Sequence, residues 1–319
     1  MTRTASPLRL GLWSGILFVL FYLCSKPAYS AESSAFLPLS QGVSVSGVQQ
    51  APLEFSWHSL ESGLELGLTV LPESYANKNA AVFVVLRITP TEQTFALCMA
   101  LQTGLALPPA AWSEQEHLRA GINGGMYLQD LLTNTGYMRN GEFVNNNKVG
   151  ARLGAFFVAG PRDTNLAPAD IIDKDLPNWQ ARLDQYSIVA QNYRLINSHG
   201  ELLWPEGAEA HSIAAIAKDN AGRILFILSQ EPLTVQMFAH YLQRLSLDAG
   251  TVMYVEGGRQ AGLFVRLDTP DDTAKALPGA TIHSVSGGNV MVWRGKQSLL
   301  RLPGSADAVL PNIIGVKMR

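Results

Sequence analysis

The stretch Met-Tyr-Val-Glu-Gly-Gly, at Met253–Gly258, decides the fold that we predict. An apolar run typical of a buried strand stops there in one carboxylate and two glycines. Glycine lacks a Cβ and tolerates a positive φ, so the backbone after Glu256 can come close to a ligand. The pattern predicts a strand that delivers Glu256 to a cleft. The alternative is an ordinary surface carboxylate at a strand end.

A second glycine corner occurs earlier in the chain, where Asn123, Gly124 and Gly125 precede Met126 and Tyr127. Taken alone, either corner is also compatible with a simple turn, since Asn and Gly supply turn conformations. We predict that the two corners face each other across one cleft, with the carboxyl of Glu256 between them.

Strand-like segments outnumber helical ones in the remaining sequence. Apolar runs predict strands at Leu64–Leu71, Ala81–Ile88, Phe95–Gln102, Leu153–Ala159, Ser212–Ala217 and Val290–Trp293, the last of which closes the series. Thr234 caps an amphipathic helix that continues to Leu245. Ser113 is expected to start a short helix that ends in 120–125. With no nucleotide-binding pattern, this predicts an α+β fold: a strand-rich mixed sheet with a few packing helices in a single domain.

The first thirty residues have the pattern of a secretory signal peptide. Arg3 and Arg9 precede an apolar run from Leu10 to Leu23, and Ala28-Tyr29-Ser30 offers small residues for cleavage. The run is shorter than a spanning helix needs, although an uncleaved anchor is the alternative. We therefore predict a signal peptide at 1–30, a flexible segment at 31–50 and one domain at 51–319. The protein is expected in the periplasm or outside the cell, with no stable membrane span.

Charge and cysteine content exclude several classes of protein. The chain has 24 Lys and Arg against 26 Asp and Glu, and removal of Arg3, Arg9 and Lys26 with the signal leaves 21 against 26. An acidic balance argues against a nucleic-acid partner. Cys98 is the one cysteine left after cleavage, and no zinc-ligand spacing is present. We expect no metal and no cofactor.

Four motifs in order resemble the phosphodiester glycosidase family. They are Asn123-Gly124-Gly125 with its aromatic, Gly136-Tyr137-Met138-Arg139-Asn140-Gly141, Gln191-Asn192, and Glu256-Gly257-Gly258. The sequence departs from the family pattern in four places. Glu256 replaces the usual Asp, and Arg259-Gln260-Ala261 stands where a Ser is expected after the second glycine pair. His211 is the nearest polar substitute for an Arg before Ser212–Ala217. Asn192-Tyr193-Arg194 stands where Ser-Gly-Pro often follows Gln191.

The resemblance implies a hydrolase that cleaves a glycosyl 1-phosphodiester in an envelope or extracellular glycan. It implies catalytic roles for Glu256 and Asn123. It also implies substrate contacts from the following residues: Gly124, Gly125, Arg139, Asn140, Gln191, Asn192, His211, Gly257, Gly258 and Arg259. The alternative is an inactive envelope domain that binds a glycan or a protein through the same cleft. Loss of the Ser and the Arg favours that alternative, and the two retained glycine corners favour the enzyme.

Overall fold

Most of the predicted apolar runs fold as strands. The structure is a computed structural model, and it describes residues 55–71, 81–204, 209–267, 277–296 and 309–319. The predicted signal peptide at 1–30 and the flexible segment at 31–50 lie outside the described residues. The described residues all belong to one unit, Gly42–Arg319. Among them, no helix is both long and apolar enough to cross a membrane.

The described ranges contain seventeen strands and four α-helices. The first nine strands are β1 (Ser56–Glu61), β2 (Leu64–Leu71), β3 (Ala81–Ile88), β4 (Phe95–Met99), β5 (Leu118–Asn123), β6 (Met138–Asn140), β7 (Phe143–Asn146), β8 (Ala155–Pro161) and β9 (Ala169–Asp173). The other eight are β10 (Tyr186–Ile196), β11 (His211–Asp219), β12 (Ile224–Leu233), β13 (Ala249–Gly257), β14 (Gly262–Leu267), β15 (Thr281–Val285), β16 (Gly288–Arg294) and β17 (Asn312–Lys317). The helices are α1 (Ala100–Thr103), α2 (Pro109–Gln115), α3 (Trp179–Leu183) and α4 (Val235–Arg244).

The strands form two sheets. Eleven strands make the larger sheet in the order β1-β2-β3-β12-β11-β13-β10-β6-β7, with β8 and β9 added beside β10. Six make the smaller sheet in the order β15-β16-β14-β5-β17-β4. We predicted a mixed sheet, but the strand pairings in the described ranges are antiparallel. Hairpins such as β11–β12 need only a short turn, whereas parallel pairs need long crossovers.

The two sheets pack face to face and helices cover their outer faces. The core between them combines residues of the larger sheet, such as Leu86 and Phe226, with Trp293 and Ile314 of the smaller one. Helix α4 packs its apolar side on the outer face of the larger sheet. Trp112 of α2 lies in the cluster on the outer face of the smaller sheet. The result is a strand-rich α+β sandwich.

The sequence located some elements well and others badly. Strands β2 and β3 have the predicted bounds, and the Oγ1 of Thr234 accepts the Met237 N–H at 3.2 Å as the predicted cap of α4. Ser113 does not start a helix. It is buried inside α2, which begins at Pro109, where the fixed φ of proline suits a first turn.

The predicted helix end at 120–125 is instead the buried strand β5, between β14 and β17. In the smaller sheet β5 pairs with β14 along one edge and with β17 along the other. Both partners come from distant parts of the sequence, so no local pattern predicts this pairing. Strand β17 also follows Val290–Trp293, which we expected to be the last strand.

Candidate functional site

A β-bulge sets the direction of Glu256. In the β11–β13 pair Ala215 lies opposite Tyr254, but Ala214 lies opposite Glu256, so Val255 is the extra residue. Side chains alternate along a regular strand, and without the bulge Glu256 would share the face of Tyr254. The bulge instead aligns Glu256 with Ala214, which packs in the core between the sheets. Bulges of this kind re-aim side chains beside functional sites.

The carboxyl of Glu256 is nearly enclosed. The residue is 7% exposed, and its Oε1 accepts the backbone N–H of Gly257 at 2.9 Å. Burial raises the pKa of this carboxyl to about 7, while the Gly257 hydrogen bond and the charge of Arg294 lower it by less. A carboxyl with a pKa near neutrality can both give and take a proton at neutral pH. Such groups are concentrated in functional sites.

The amide of Asn123 joins the two glycine corners. Its Nδ2 donates to the carbonyl of Gln260 at 3.0 Å, and its Oδ1 accepts the Gly262 N–H at 2.8 Å. Asn123 ends β5, whereas Gln260 closes the 3-10 turn Gly258–Gln260 that follows β13. Corners that lie far apart in the sequence are thus held side by side. Asn123 is 2% exposed, and both ends of its amide are used in this bridge.

Two buried asparagines support the first corner. Asn192 Nδ2 donates to the Gly124 carbonyl at 3.0 Å, and Asn134 Nδ2 donates to the Gly136 carbonyl at 3.0 Å. A Cβ on Gly125 would lie 2.4 Å from Asn134 Oδ1 and 2.6 Å from Asn192 Oδ1. Gly125 is therefore required by close approach of two amide oxygens. This packing brings Asn192, one of the predicted contacts, into the site.

The second corner is supported by an aromatic pair. Tyr254 hydroxyl lies 3.0 Å from Nε2 of His211, whose Nδ1 lies 3.0 Å from the carbonyl of Glu209. A carbonyl only accepts, so Nδ1 carries the proton and Nε2 accepts from the tyrosine. A Cβ on Gly257 would lie 1.9 Å from that hydroxyl, and Gly258 has φ +64°. His211 also lies directly against the corner, because that Cβ would lie 2.8 Å from its Cδ2.

Two residues near Glu256 were not predicted as site residues. Burial raises the pKa of Tyr127, the nearby Glu256 raises it further, and Arg294 lowers it. Arg294 ends β16 and donates from Nη2 to the carbonyl of Arg259 at 3.1 Å. The aromatic after the first corner was a signal for Tyr127, but no motif marked Arg294.

Three predicted contacts have backbone partners away from this cluster. The amide of the fully buried Gln191 bonds to the backbone at Tyr137, Gly150 and Leu153. Arg139 Nη2 donates to two carbonyls of the 183–186 segment, at 3.1 and 2.9 Å. The amide of Asn140 donates to the carbonyl of Leu97 at 2.9 Å. These side chains brace loops and strands, and we leave them out of the site proposed below.

A cavity of about 350 Å³ lies at the opposite end of β13, beside Gly250 and Thr251. Its carboxylates are already paired: Asp170 with Lys218 at 2.6 Å, and Asp219 with Arg223 at 2.6 Å. Because each of these carboxylates already has a cation beside it, the cavity offers little charge to a substrate. In the part of the chain that the structure describes, no group of three or more His, Cys, Asp or Glu could hold a metal ion.

Part of the sequence matches the model of a known protein family. The sequence model of a family described as phosphodiester glycosidase matches residues 116–286, which are 171 of the 319 residues. The match includes both glycine corners and ends before Arg294. No curated protein matches the chain.

Solved structures with a similar fold share little sequence with this chain. A hypothetical protein from Synechocystis has a TM-score of 0.52 at 12% identity, over 83% of this chain and 64% of that one. The catalytic domain of zebrafish N-acetylglucosamine-1-phosphodiester alpha-N-acetylglucosaminidase, auto-inhibited by its pro-peptide, has a TM-score of 0.54 at 10% identity, over 84% of this chain and 89% of that one. At these identities the likeness concerns the fold alone.

Proposed function

Because the chain belongs to the phosphodiester glycosidase family, we propose that it hydrolyses a glycosyl 1-phosphodiester in an envelope or extracellular glycan. The observation that carries the proposal is the Glu256 carboxyl, which is nearly enclosed where the two glycine corners meet. Its pKa of about 7 lies in the range suited to proton transfer at neutral pH. The sequence of the first thirty residues supports an exported location.

The reaction we propose breaks the bond between the anomeric carbon and the phosphate oxygen. Water adds its oxygen to the anomeric carbon, the electron pair of the broken bond stays on the phosphate, and the water proton passes to a base. A phosphate monoester is a good leaving group, so the protein has little need for an acid on that side. The remaining tasks are to hold the phosphate, position the water and stabilise an oxocarbenium-like state.

The residues divide these tasks. Glu256 acts as the base, as the nucleophile or as the charge that steadies the developing cation. The Gly124 N–H bonds to the carbonyl of Asn312 at 2.8 Å and the Gly257 N–H bonds to Glu256 Oε1 at 2.9 Å. The Gly258 N–H is therefore the glycine donor that we assign to an anionic oxygen, since backbone amides bind anions. Arg259 contributes a positive charge beside it. Asn123 and Asn192 fix the two corners in place.

The test uses the purified domain and a panel of sugar 1-phosphodiesters in water labelled with ¹⁸O. Release of free sugar together with an unlabelled phosphate monoester supports the proposal, because water has then attacked the anomeric carbon; label in the sugar alone is not used, since its anomeric oxygen exchanges with water. N-acetylglucosamine 1-phosphodiesters come first in the panel, since the similar zebrafish enzyme is named for that linkage. Label in the phosphate would instead indicate a phosphodiesterase and contradict the proposed reaction.

The second candidate is the inactive binding domain. Two absences favour it: the Ser expected after Gly258, where Arg259-Gln260-Ala261 stands, and the Arg expected before Ser212. If no member of the panel releases sugar while a glycan binds measurably to the same protein, the binding domain replaces the enzyme.

A further inference from the structure

The proposed site lacks the arginine that the family pattern expects just before Ser212–Ala217. His211, the first residue of β11, is the nearest polar substitute, and both of its ring nitrogens have partners, the Glu209 carbonyl and the Tyr254 hydroxyl. A phosphodiester carries a negative charge, and proteins bind such groups best with the planar guanidinium of arginine. Arg259 is the cation assigned to the site above, and a second guanidinium beside it would strengthen the binding of a phosphodiester.

Arg294 enters the same place from the smaller sheet. It lies at the end of β16, where its Nη2 donates to the Arg259 carbonyl at 3.1 Å. That carbonyl belongs to the 3-10 turn that directly follows Glu256-Gly257. The guanidinium therefore borders the second glycine corner without belonging to it in the sequence.

The surroundings of Arg294 fix it in position. Gln230 Nε2 donates to the Arg294 carbonyl at 3.1 Å and holds the end of the strand. Across the β14–β16 pair Gly262 lies opposite Arg294, and a Cβ on Gly262 would lie 3.1 Å from Nη1. The small residue leaves room for the guanidinium, and Asn123 Oδ1 holds Gly262 through its N–H. One chain of contacts thus links Arg294 to both corners.

The charge of Arg294 reaches the reacting groups. It lowers the pKa of Glu256 and of Tyr127, and in both cases burial raises the pKa by more. Close to neutral pH, Glu256 is therefore only partly ionised and does not offset the full charge of Arg294.

We propose that Arg294 binds the phosphate of the substrate and replaces the arginine that is missing before Ser212. The proposal rests on the proposed function, because it assigns the anion-binding residue of that same site. Residue 294 lies outside the range that matches the family model. Arg294 is a specificity residue in this account: it selects sugars that carry an anionic ester over neutral glycosides.

Two ligands that differ only in the phosphate test this role. N-acetylglucosamine 1-phosphate and N-acetylglucosamine are titrated into the purified domain, and the ratio of their dissociation constants measures the contribution of the phosphate. The wild type is expected to prefer the phosphate by about tenfold or more, the amount that a charge-assisted hydrogen bond supplies. Arg294→Gln is expected to abolish the preference and Arg294→Lys to keep part of it.

Arg162→Gln is the matched control, since Arg162 is exposed and lies just after β8. It is expected to keep the wild-type preference. Thermal unfolding shows which variants fold, and Arg294→Lys carries the test if Arg294→Gln does not. An unchanged preference in the folded Arg294→Gln protein, or no preference in the wild type, overturns the proposal.

The hydrolysis assay separates this proposal from the proposed function. If the wild type releases sugar and Arg294→Gln keeps its phosphate preference, the role of Arg294 fails and the function stands. If the preference depends on Arg294 but no phosphodiester is hydrolysed, the function fails and the anion site stands.

Discussion

Replacement of Glu256 by Gln removes a group whose ionisation the fold opposes. Burial raises the pKa of this carboxyl from its ordinary value of 4.5 to about 7. Between these values the folded protein keeps a proton that the unfolded chain has released, so the free energy of unfolding falls as the pH rises. The effect is absent below pH 4.5 and complete above pH 7. At roughly 1.4 kcal/mol per pH unit, it amounts to about 3 kcal/mol.

Gln has nearly the same shape as protonated Glu and does not ionise. The Glu256→Gln protein should therefore be close to the wild type in stability at pH 4.5 and more stable at pH 8 by about 3 kcal/mol. Urea unfolding at several pH values from 4.5 to 8 measures both proteins under matched conditions.

The control for this experiment is Glu142→Gln, because Glu142 is exposed in the turn between β6 and β7. Its effect on the free energy of unfolding should change little with pH. If the difference between Glu256→Gln and the wild type stays constant from pH 4.5 to 8, Glu256 is not held protonated by burial, and the reasoning is refuted.

Three further substitutions test the glycine corners and the side chains that support them, the first two by urea unfolding and the third by hydrogen exchange. Gly125→Ala should lower the free energy of unfolding by about 1–3 kcal/mol, because the new Cβ would meet two amide oxygens. Gly250→Ala is the control and should lower it much less, because its Cβ would come no closer than 3.4 Å to the carbonyl oxygen of Lys218. Equal losses for the two variants would contradict the close contact at Gly125. Asn123→Asp loses the donor to the Gln260 carbonyl and should cost about 2 kcal/mol, and a neutral outcome would mean that the bridge is not needed. Gln191→Glu puts a carboxylate against the carbonyls of Gly150 and Leu153. Backbone amide hydrogen exchange in 136–153 should therefore accelerate. Unchanged exchange would mean that the Gln191 side chain does not hold this segment in place.

Local sequence patterns predicted several strands and one helix correctly. Strands β2 and β3 follow from continuous apolar runs, and α4 follows from an N-cap and a helical apolar stripe. These elements could be predicted because their structure depends mainly on residues that are close together in the sequence. The start of α2 was missed because Pro109 inside a loop-like sequence was not taken as a first helical residue. Strand β5 was missed because the two strands that pair with it, β14 and β17, are far from it in the sequence.

The site could be predicted only where a motif marked it. Asn123 and Glu256 each sit beside two glycines, and the sequence therefore pointed to both corners. The bulge at Val255 was not predictable, because it depends on how β11 pairs with β13. Arg294 could not be found either, since it comes from the other sheet and from outside the motifs.

The most direct test of the central claim is the rate of sugar release by Glu256→Gln compared with the wild type. Both proteins are assayed at pH 7 on the sugar 1-phosphodiester that the wild type hydrolyses fastest, after both are shown to be folded. If Glu256 is the proton-transferring or charge-stabilising group where the two corners meet, the substitution lowers kcat by about 100-fold or more. A Glu256→Gln protein that releases sugar at the wild-type rate would contradict the account.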